Sequence, residues 1–307
     1  MNTYKIASSK KMCLLFLTII IVFGSCTKVN RNDDVKAGDP PPVPGGFTNS
    51  SQVAAANLLA YWNFDLNSNE VKSNTAPSDS LNINSSVGIK GNGLTFSQGF
   101  VRYPTIPALS TTNAVGSCTV SLWLKFANNG SKLTSFFALS RAADVETSWL
   151  TILNVASETG NHPASDENLY FHSWIGSYAN GNRNGGDNIN DYGNAGVDYQ
   201  TFTGANKWVQ YIMRYDGASS TIDLFANNIR VSNNNFRVRN GLNALVATIP
   251  TRVVLGGFPN VSTGFPNSPT EGFHGLYTGS MDEVRVYNKA LSDLEINALY
   301  ILERQGR

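Results

Sequence analysis

The stretch Gly279-Ser-Met-Asp-Glu-Val-Arg-Val-Tyr-Asn-Lys-Ala-Leu-Ser-Asp-Leu-Glu-Ile-Asn-Ala-Leu-Tyr300 changes its hydrophobic period once. From Ser280 to Val286 alternate residues differ in character, with Val284 and Val286 on one face and Glu283 and Arg285 on the other. Such a pattern predicts a half-buried strand. The same alternation points Asp282 toward the core with the two valines. After Asn288 the spacing turns helical. Ser292 and Glu295 form an S-x-x-E capping box, with Leu291 and Ile296 as a hydrophobic staple. A closing strand therefore runs straight into a short capped helix.

Working outward, the chain from 57 reads as strands. Asn57 to Asp65 alternates, with Ala60, Trp62 and Phe64 on one side. Gly88 to Ser97 and Phe100 to Tyr103 are two short runs divided by Gln98-Gly99, a hairpin signal. Cys118 to Phe126, Leu133 to Leu139, Trp149 to Val155 and Asn168 to Ile175 follow, then Lys207 to Tyr215, Thr221 to Val231 and Arg252 to Phe258. Roughly a dozen strands with no helical stretch before the last one predict a single all-β sandwich.

Four of these segments carry a resemblance. The closing motif G-S-M-D-E-V-R-V-Y-N-K-A-L-S-D-L-E-I, the opening Ala60-Tyr-Trp-Asn-Phe-Asp65, Gly91-Asn-Gly-Leu-Thr-Phe96 and Val120-Ser-Leu-Trp-Leu-Lys-Phe126 resemble, in order, strands of laminin-G-like domains. Trp208 to Gly217 resembles a further middle strand. These domains belong to the concanavalin A-like lectin/glucanase superfamily. The resemblance spans roughly 57 to 303 and implies a jelly-roll β-sandwich with a short C-terminal helix. It implies carbohydrate binding without naming a ligand; laminin-G-like domains also bind proteins, so an assembly module is the second reading.

Residues 1–26 read as an export leader. Lys5, Lys10 and Lys11 precede the apolar run Met12 to Phe23, which is short for a membrane span. The run ends in Phe23-Gly-Ser-Cys26, similar to a bacterial lipobox, so Cys26 is expected to carry lipid and anchor the chain stably in a membrane. Residues 27–56, with Asn30-Arg-Asn-Asp-Asp34 and Asp39-Pro-Pro-Pro-Val-Pro-Gly-Gly46, are expected to form a tether. The early acidic residues resemble surface-export signals of Bacteroidetes lipoproteins, though several positions late. The expected location is the cell envelope, in the outer membrane, with surface exposure open.

Of 23 basic residues three lie in the leader, and none of the 22 acidic ones does, so the remainder is close to −2. That argues against a nucleic-acid partner, which needs a basic footprint. Of three cysteines only Cys118 lies beyond the lipobox, which precludes an intrachain disulfide in the mature chain. Sharing a face with Val120, Leu122 and Leu124, it reads as a buried structural thiol.

Candidate chemistry concentrates near Gly176 to Gln200. Asn, Gly and Asp fill 15 of these 25 positions, leaving little to bury, so a long loop is expected. Tyr178, Tyr192 and Tyr199 punctuate it. Aromatic faces beside amides and carboxylates suit sugars; a mobile insertion capping the sandwich edge is the other reading. The strand Asn168 to Ile175 leads in, with Tyr170, His172 and Trp174 on one face and Trp149 and Arg141 nearby in the chain. Carbohydrate-binding candidates are therefore Trp174, Tyr170, His172, Tyr178, Tyr192 and Trp149. The competing assignment packs Tyr170 and Trp174 beneath the loop.

Asp282, if inward, needs compensation. It could help hold one structural Ca²⁺ with Asp65, as sandwiches of the resembled superfamily do, or accept backbone N–H bonds. His162, His172 and His274 lack a metal-ligand spacing, and Asp187-Asn-Ile-Asn-Asp191 fails the EF-hand pattern at Ile189. No E-x-D-x-E, G-x-S-x-G or H-E-x-x-H occurs. Met281-Asp282-Glu283 places neighbouring carboxylates on opposite faces. Retaining glycosidases need two carboxyls about 5–5.5 Å apart, so the sequence favours a non-catalytic protein. A glycoside hydrolase or lyase with carboxylates distant in sequence is the third reading.

Overall fold

The computed structural model describes residues 42–179, 182–247 and 249–307. Cys26 and the first part of the expected tether lie outside them. The strands are β1 (Leu58–Trp62), β2 (Asp79–Val87), β3 (Asn92–Tyr103), β4 (Cys118–Lys125), β5 (Leu133–Arg141) and β6 (Leu153–Ser157). Then come β7 (Asn168–Leu169), β8 (Phe171–Ala179), β9 (Asn182–Ile189), β10 (Phe202–Thr203) and β11 (Trp208–Asp216). The remainder are β12 (Thr221–Ala226), β13 (Ile229–Arg230), β14 (Thr251–Leu255), β15 (His274–Gly275) and β16 (Tyr277–Tyr287), before helix α1 (Asp293–Arg304). Among the described residues no helix is long and apolar enough to cross a membrane.

Antiparallel pairing runs unbroken along β13-β12-β11-β4-β16-β3-β14-β5-β6-β8-β9. The path folds over on β3. Leu94 to Gly99 pair with β16, whereas Val101 to Tyr103 pair with β14. Gln98-Gly99, expected to make a hairpin, is the place where one continuous strand changes partner. Gln98 takes φ +52 there, and a Cβ on Gly99 would stand 2.4 Å from the Leu81 carbonyl oxygen of β2. The signal was real, but it marks a bulge and not a turn.

Between the folded halves lies the core. Cys118, Val120, Leu122 and Leu124 of β4 point into it, as their alternation requires, and β1, β3, β5, β6, β8, β11, β12, β14 and β16 supply most of the rest. Each fully buried aliphatic side chain stabilises by about 1.5–3 kcal/mol. Tyr211 bridges the layers, 4.6 Å from the Phe171 ring and with its hydroxyl 2.6 Å from that of Ser173. Burial pushes the Cys118 thiol up to about 12, which makes it inert. The result is an all-β sandwich.

Helix α1 starts where the capping box placed it: Glu295 N–H donates to Ser292 Oγ at 3.3 Å and Ser292 N–H to Glu295 Oε2 at 2.8 Å. Its apolar stripe, Ile296, Leu299 and Leu302, covers the outer face of the sheet with Ile212, Phe225 and Tyr287. Val43 and Val53 join this cluster, and Ser50 N–H donates to the Arg307 carbonyl. The packed domain thus reaches back to about residue 43, into the segment 27–56 expected to be tether. The periodicity there was too short to reveal it.

A buried charge network locks helix to sheet. Glu303 accepts from Trp123 Nε1 at 2.7 Å, Gln210 Nε2 at 2.9 Å and Arg285 Nε at 2.7 Å. Arg285 also pairs with Glu283 at 2.6 Å. This geometry depends on a bulge. Glu283 has φ +49, and the β16–β4 register slips between Asp282 and Arg285. Met281 therefore enters the core with Val284 and Val286, while Asp282 lies opposite Trp123 on the helix-covered face with Glu283 and Arg285. The expected inward Asp282, and its opposition to Glu283, are corrected by this one extra residue.

The expected loop 176–200 is also corrected. Its first half is a hairpin, with β9 paired to β8 from His172↔Ile189 to Ala179↔Asn182. Among its described residues only those after Ile189 are irregular.

Candidate functional site

Strand β8 divides its side chains cleanly. Phe171 and Ile175 enter the core; His172 and Trp174 face outward. Register then decides their neighbours: β9 sets Asp187 directly opposite Trp174, and β6 sets Ala156 opposite His172. Residues opposed in an antiparallel pair share a face, so Asp187 joins the outer group although no hydrophobic pattern marks it.

His172 is clamped between two carboxylates. Its Nδ1 lies 2.5 Å from Glu158 Oε1 and its Nε2 lies 3.1 Å from Asp187 Oδ2. Both ring nitrogens therefore donate, which describes an imidazolium. Burial pulls the His172 pKa down, but its bonds to Asp187 and Glu158 outweigh that and hold it above the ordinary value. The His172 hydrogen bond in turn holds the Asp187 carboxyl below its ordinary range. Arg239 Nη2 reaches Asp187 Oδ1 at 2.8 Å, and Asn161 Nδ2 donates to Glu158 Oε2 at 2.7 Å. With partners on both carboxylates, the cluster positions groups and has no idle acid or base.

Trp174 is 2% exposed. It stacks on Phe258 at 6.1 Å and meets Trp149 edge-on at 5.0 Å. Trp149, half-buried on the loop before β6, also touches the rings of Phe273 and His274. Against this aromatic pile opens a pocket of about 150 Å³, lined by Trp149, His172, Trp174, Arg183, Asp187 and the Gly185-Gly186 backbone. The two glycines make room: a Cβ on Gly185 would stand 2.8 Å from the Arg183 guanidinium, and one on Gly186 2.7 Å from Arg239 Cδ. Burial pushes the Arg183 pKa below its ordinary value. Trp174 Nε1 and Arg183 Nε are buried donors with no protein partner among the described residues.

The other candidates go elsewhere. Tyr170 stacks on His162 at 3.4 Å, with its hydroxyl 3.0 Å from Asp166 Oδ2. Tyr178 belongs to the core; its hydroxyl donates to the Leu150 carbonyl at 2.9 Å, and the Arg141 guanidinium lies over its ring. Tyr192 is 65% exposed and leans on Phe236. Trp149, His172 and Trp174 are thus gathered, and Tyr170, Tyr178 and Tyr192 are not. Arg183, Asp187 and Glu158 were missed, because a pairing partner for β8 was not recognised in a segment so rich in Asn and Gly.

Asp65 and Asp282 are brought together from opposite ends of the chain, around one turn. Lys90 N–H and Glu283 N–H donate to Asp282 at 3.0 and 2.7 Å. Asn92 N–H and Asn63 Nδ2 donate to Asp65 at 3.0 and 2.9 Å. A Cβ on Gly88 or Gly91 would fall 2.2 Å from Asp282 Oδ2 or 2.0 Å from Asp65 Oδ1. Burial pushes Asp282 up to about 8, against the pull of the backbone N–H groups. Each of the four carboxylate oxygens accepts an N–H bond, the alternative to Ca²⁺ that the sequence leaves open for Asp282. Among the described residues no group of three His, Cys, Asp or Glu is placed to hold a metal.

No protein-family model and no curated protein matches this chain. Solved structures do. One is domain 4 of AbnA, an extracellular arabinanase of Geobacillus stearothermophilus in complex with arabinotriose, at 17% identity and TM-score 0.42, covering 80% of this chain and 98% of that one. Another is the botulinum neurotoxin serotype D ligand-binding domain in complex with N-acetylneuraminic acid, at 13% identity and TM-score 0.49, covering 82% and 52%. A third is Trypanosoma rangeli sialidase with 2,3-difluorosialic acid, at 12% and 0.47, covering 81% and 33%. The chain spans about half of the toxin domain and a third of the sialidase.

Proposed function

We propose that this chain is a non-catalytic carbohydrate-binding lipoprotein of the cell envelope, anchored through Cys26 and capturing glycans at the cell surface. The observation that carries the reading is that Trp174 and Arg183, which line a pocket beside the Trp149 ring, each keep one buried N–H, at Nε1 and Nε, without a protein partner among the described residues. A buried N–H without a partner costs roughly 1–3 kcal/mol, and a sugar hydroxyl supplies the missing acceptor. The rim of Trp149 offers an apolar surface for a pyranose C–H face, and Asp187 an acceptor for a second hydroxyl. A volume of about 150 Å³ lies below the roughly 300–1,000 Å³ of pockets that engulf a ligand. The site accordingly takes the end or one residue of a chain.

The test is a glycan panel on the whole chain in detergent, comparing wild type with Trp149→Ala and Arg183→Ala. A glycan bound by wild type and lost from both variants supports the proposal. Neutral-glycan binding that survives both variants refutes it.

A further inference from the structure

A second recess lies beyond the same aromatic pile. It measures about 770 Å³ and is walled by Thr95 to Gln98 of β3, the end of β4 and the start of β16. That volume falls within the range of sites that enclose a ligand. Its lining combines amides, hydroxyls and two lysines, Lys125 and Lys132, with apolar Phe96, Phe126, Ala127 and Leu276, and has no carboxylate among the described lining residues. Lys125 is exposed and its ammonium has no ion pair or hydrogen bond among the described residues. Lys132 donates to the Gly272 carbonyl and keeps two further N–H bonds to give.

Two buried side chains of the lining each hold back one polar atom. Asn128, 3% exposed, gives its Nδ2 to the Asp166 and Asn168 carbonyls at 3.2 and 2.7 Å, which fixes the amide orientation; its Oδ1 has no partner. His274, 8% exposed, accepts at Nδ1 from Glu271 N–H at 3.1 Å and lies 3.0 Å from Asn260 Nδ2. In the neutral ring an accepting Nδ1 leaves the proton on Nε2, and Nε2 has no partner. Burial and the nearby Lys132 charge hold His274 down to about 4, so the ring is neutral at physiological pH. The recess thus combines one buried acceptor, one buried donor and two cationic arms.

We propose that this recess binds an acidic oligosaccharide, its carboxylate or sulfate against Lys125 and Lys132 and its hydroxyls on Asn128 and His274. The recess has no lining residue in common with the Trp149 pocket, although the Trp149 ring packs on His274. Calorimetric titration of the whole chain in detergent uses an oligogalacturonate, a sulfated galactan oligosaccharide and a neutral galactan oligosaccharide of matched length. One charged ligand should bind in preference to the neutral one, and its identity separates carboxylate from sulfate as the recognised group. Lys125→Glu should weaken that binding on the order of tenfold, the loss of one charged hydrogen bond. Lys125→Arg should retain it, and raised salt should weaken it. Lys125 is exposed, so a matching melting curve checks that the variants fold. Arg183→Ala, whose side chain lines only the other pocket, should leave charged binding intact. Equal or absent binding of charged and neutral ligands, equal behaviour of Lys125→Glu and Lys125→Arg, or loss of charged binding in Arg183→Ala would each overturn the proposal.

Discussion

Replacing Trp174 by Ala should cost the domain about 3–5 kcal/mol, the range for truncating a large buried aromatic. The side chain is 2% exposed and fills the space between Phe258, stacked at 6.1 Å, and Trp149, edge-on at 5.0 Å. Aromatic pairs of this kind contribute roughly 0.5–1.5 kcal/mol each beyond area, so most of the loss lies in these two contacts and the cavity. For a domain of this size 1 kcal/mol moves Tm by roughly 2–4 °C, which places the Ala variant roughly 6–20 °C below wild type. Trp174→Phe keeps one ring against Phe258 but removes the other indole ring with the buried, unpartnered Nε1–H, so it should melt between the Ala variant and wild type while binding glycan more weakly. Differential scanning calorimetry with a parallel glycan titration reads both. A Trp174→Ala protein that melts with wild type would show that the pile does not carry the load described, and the reasoning would fail.

Other outcomes follow from the clamp, the turn and the leader. His172 sits above its ordinary pKa of 6.5 and Asp187 below its ordinary 3.8. The imidazolium contribution is therefore complete below the ordinary histidine value and lost as pH rises through the raised one. The carboxylate contribution is present above its ordinary value and lost as pH falls through the lowered one. The Tm difference between wild type and His172→Gln should be largest between these limits and shrink as pH rises through the raised histidine value; a constant difference would count against the clamp. Millimolar calcium or chelator should leave Tm unchanged, since Asp65 and Asp282 already accept N–H bonds; a calcium-dependent rise would restore the metal. Cys26→Ser should abolish incorporation of a fatty-acid analogue and release the protein from the membrane fraction, and persistent labelling would contradict the anchor.

The parts of the fold legible in sequence were those in which a run of apolar residues had one period. β4 is such a run, and Cys118 to Leu124 point inward as read; Ser292 and Glu295 cap α1 for the same local reason. β8 was legible too, down to the outward pairing of His172 and Trp174. Legibility failed wherever a single residue left the period. Glu283 and Gln98 adopt positive φ without being glycine, and alternation cannot anticipate a bulge that flips everything after it. β9 failed differently. Before Ile189 its residues are all Asn, Arg, Gly and Asp, held by pairing with β8 with little apolar burial, so composition argued for a loop. The site suffered most from that miss, because Arg183 and Asp187 come from this strand.

The most direct test of glycan recognition at the Trp149 pocket is the indole N–H spectrum of the ¹⁵N-labelled protein during glycan titration. Trp174 Nε1–H, which has no protein partner, should shift strongly as it gains a hydroxyl acceptor, while Trp123 Nε1–H, bonded to Glu303 at 2.7 Å, stays fixed. A bound glycan that leaves the Trp174 signal unmoved would contradict the account.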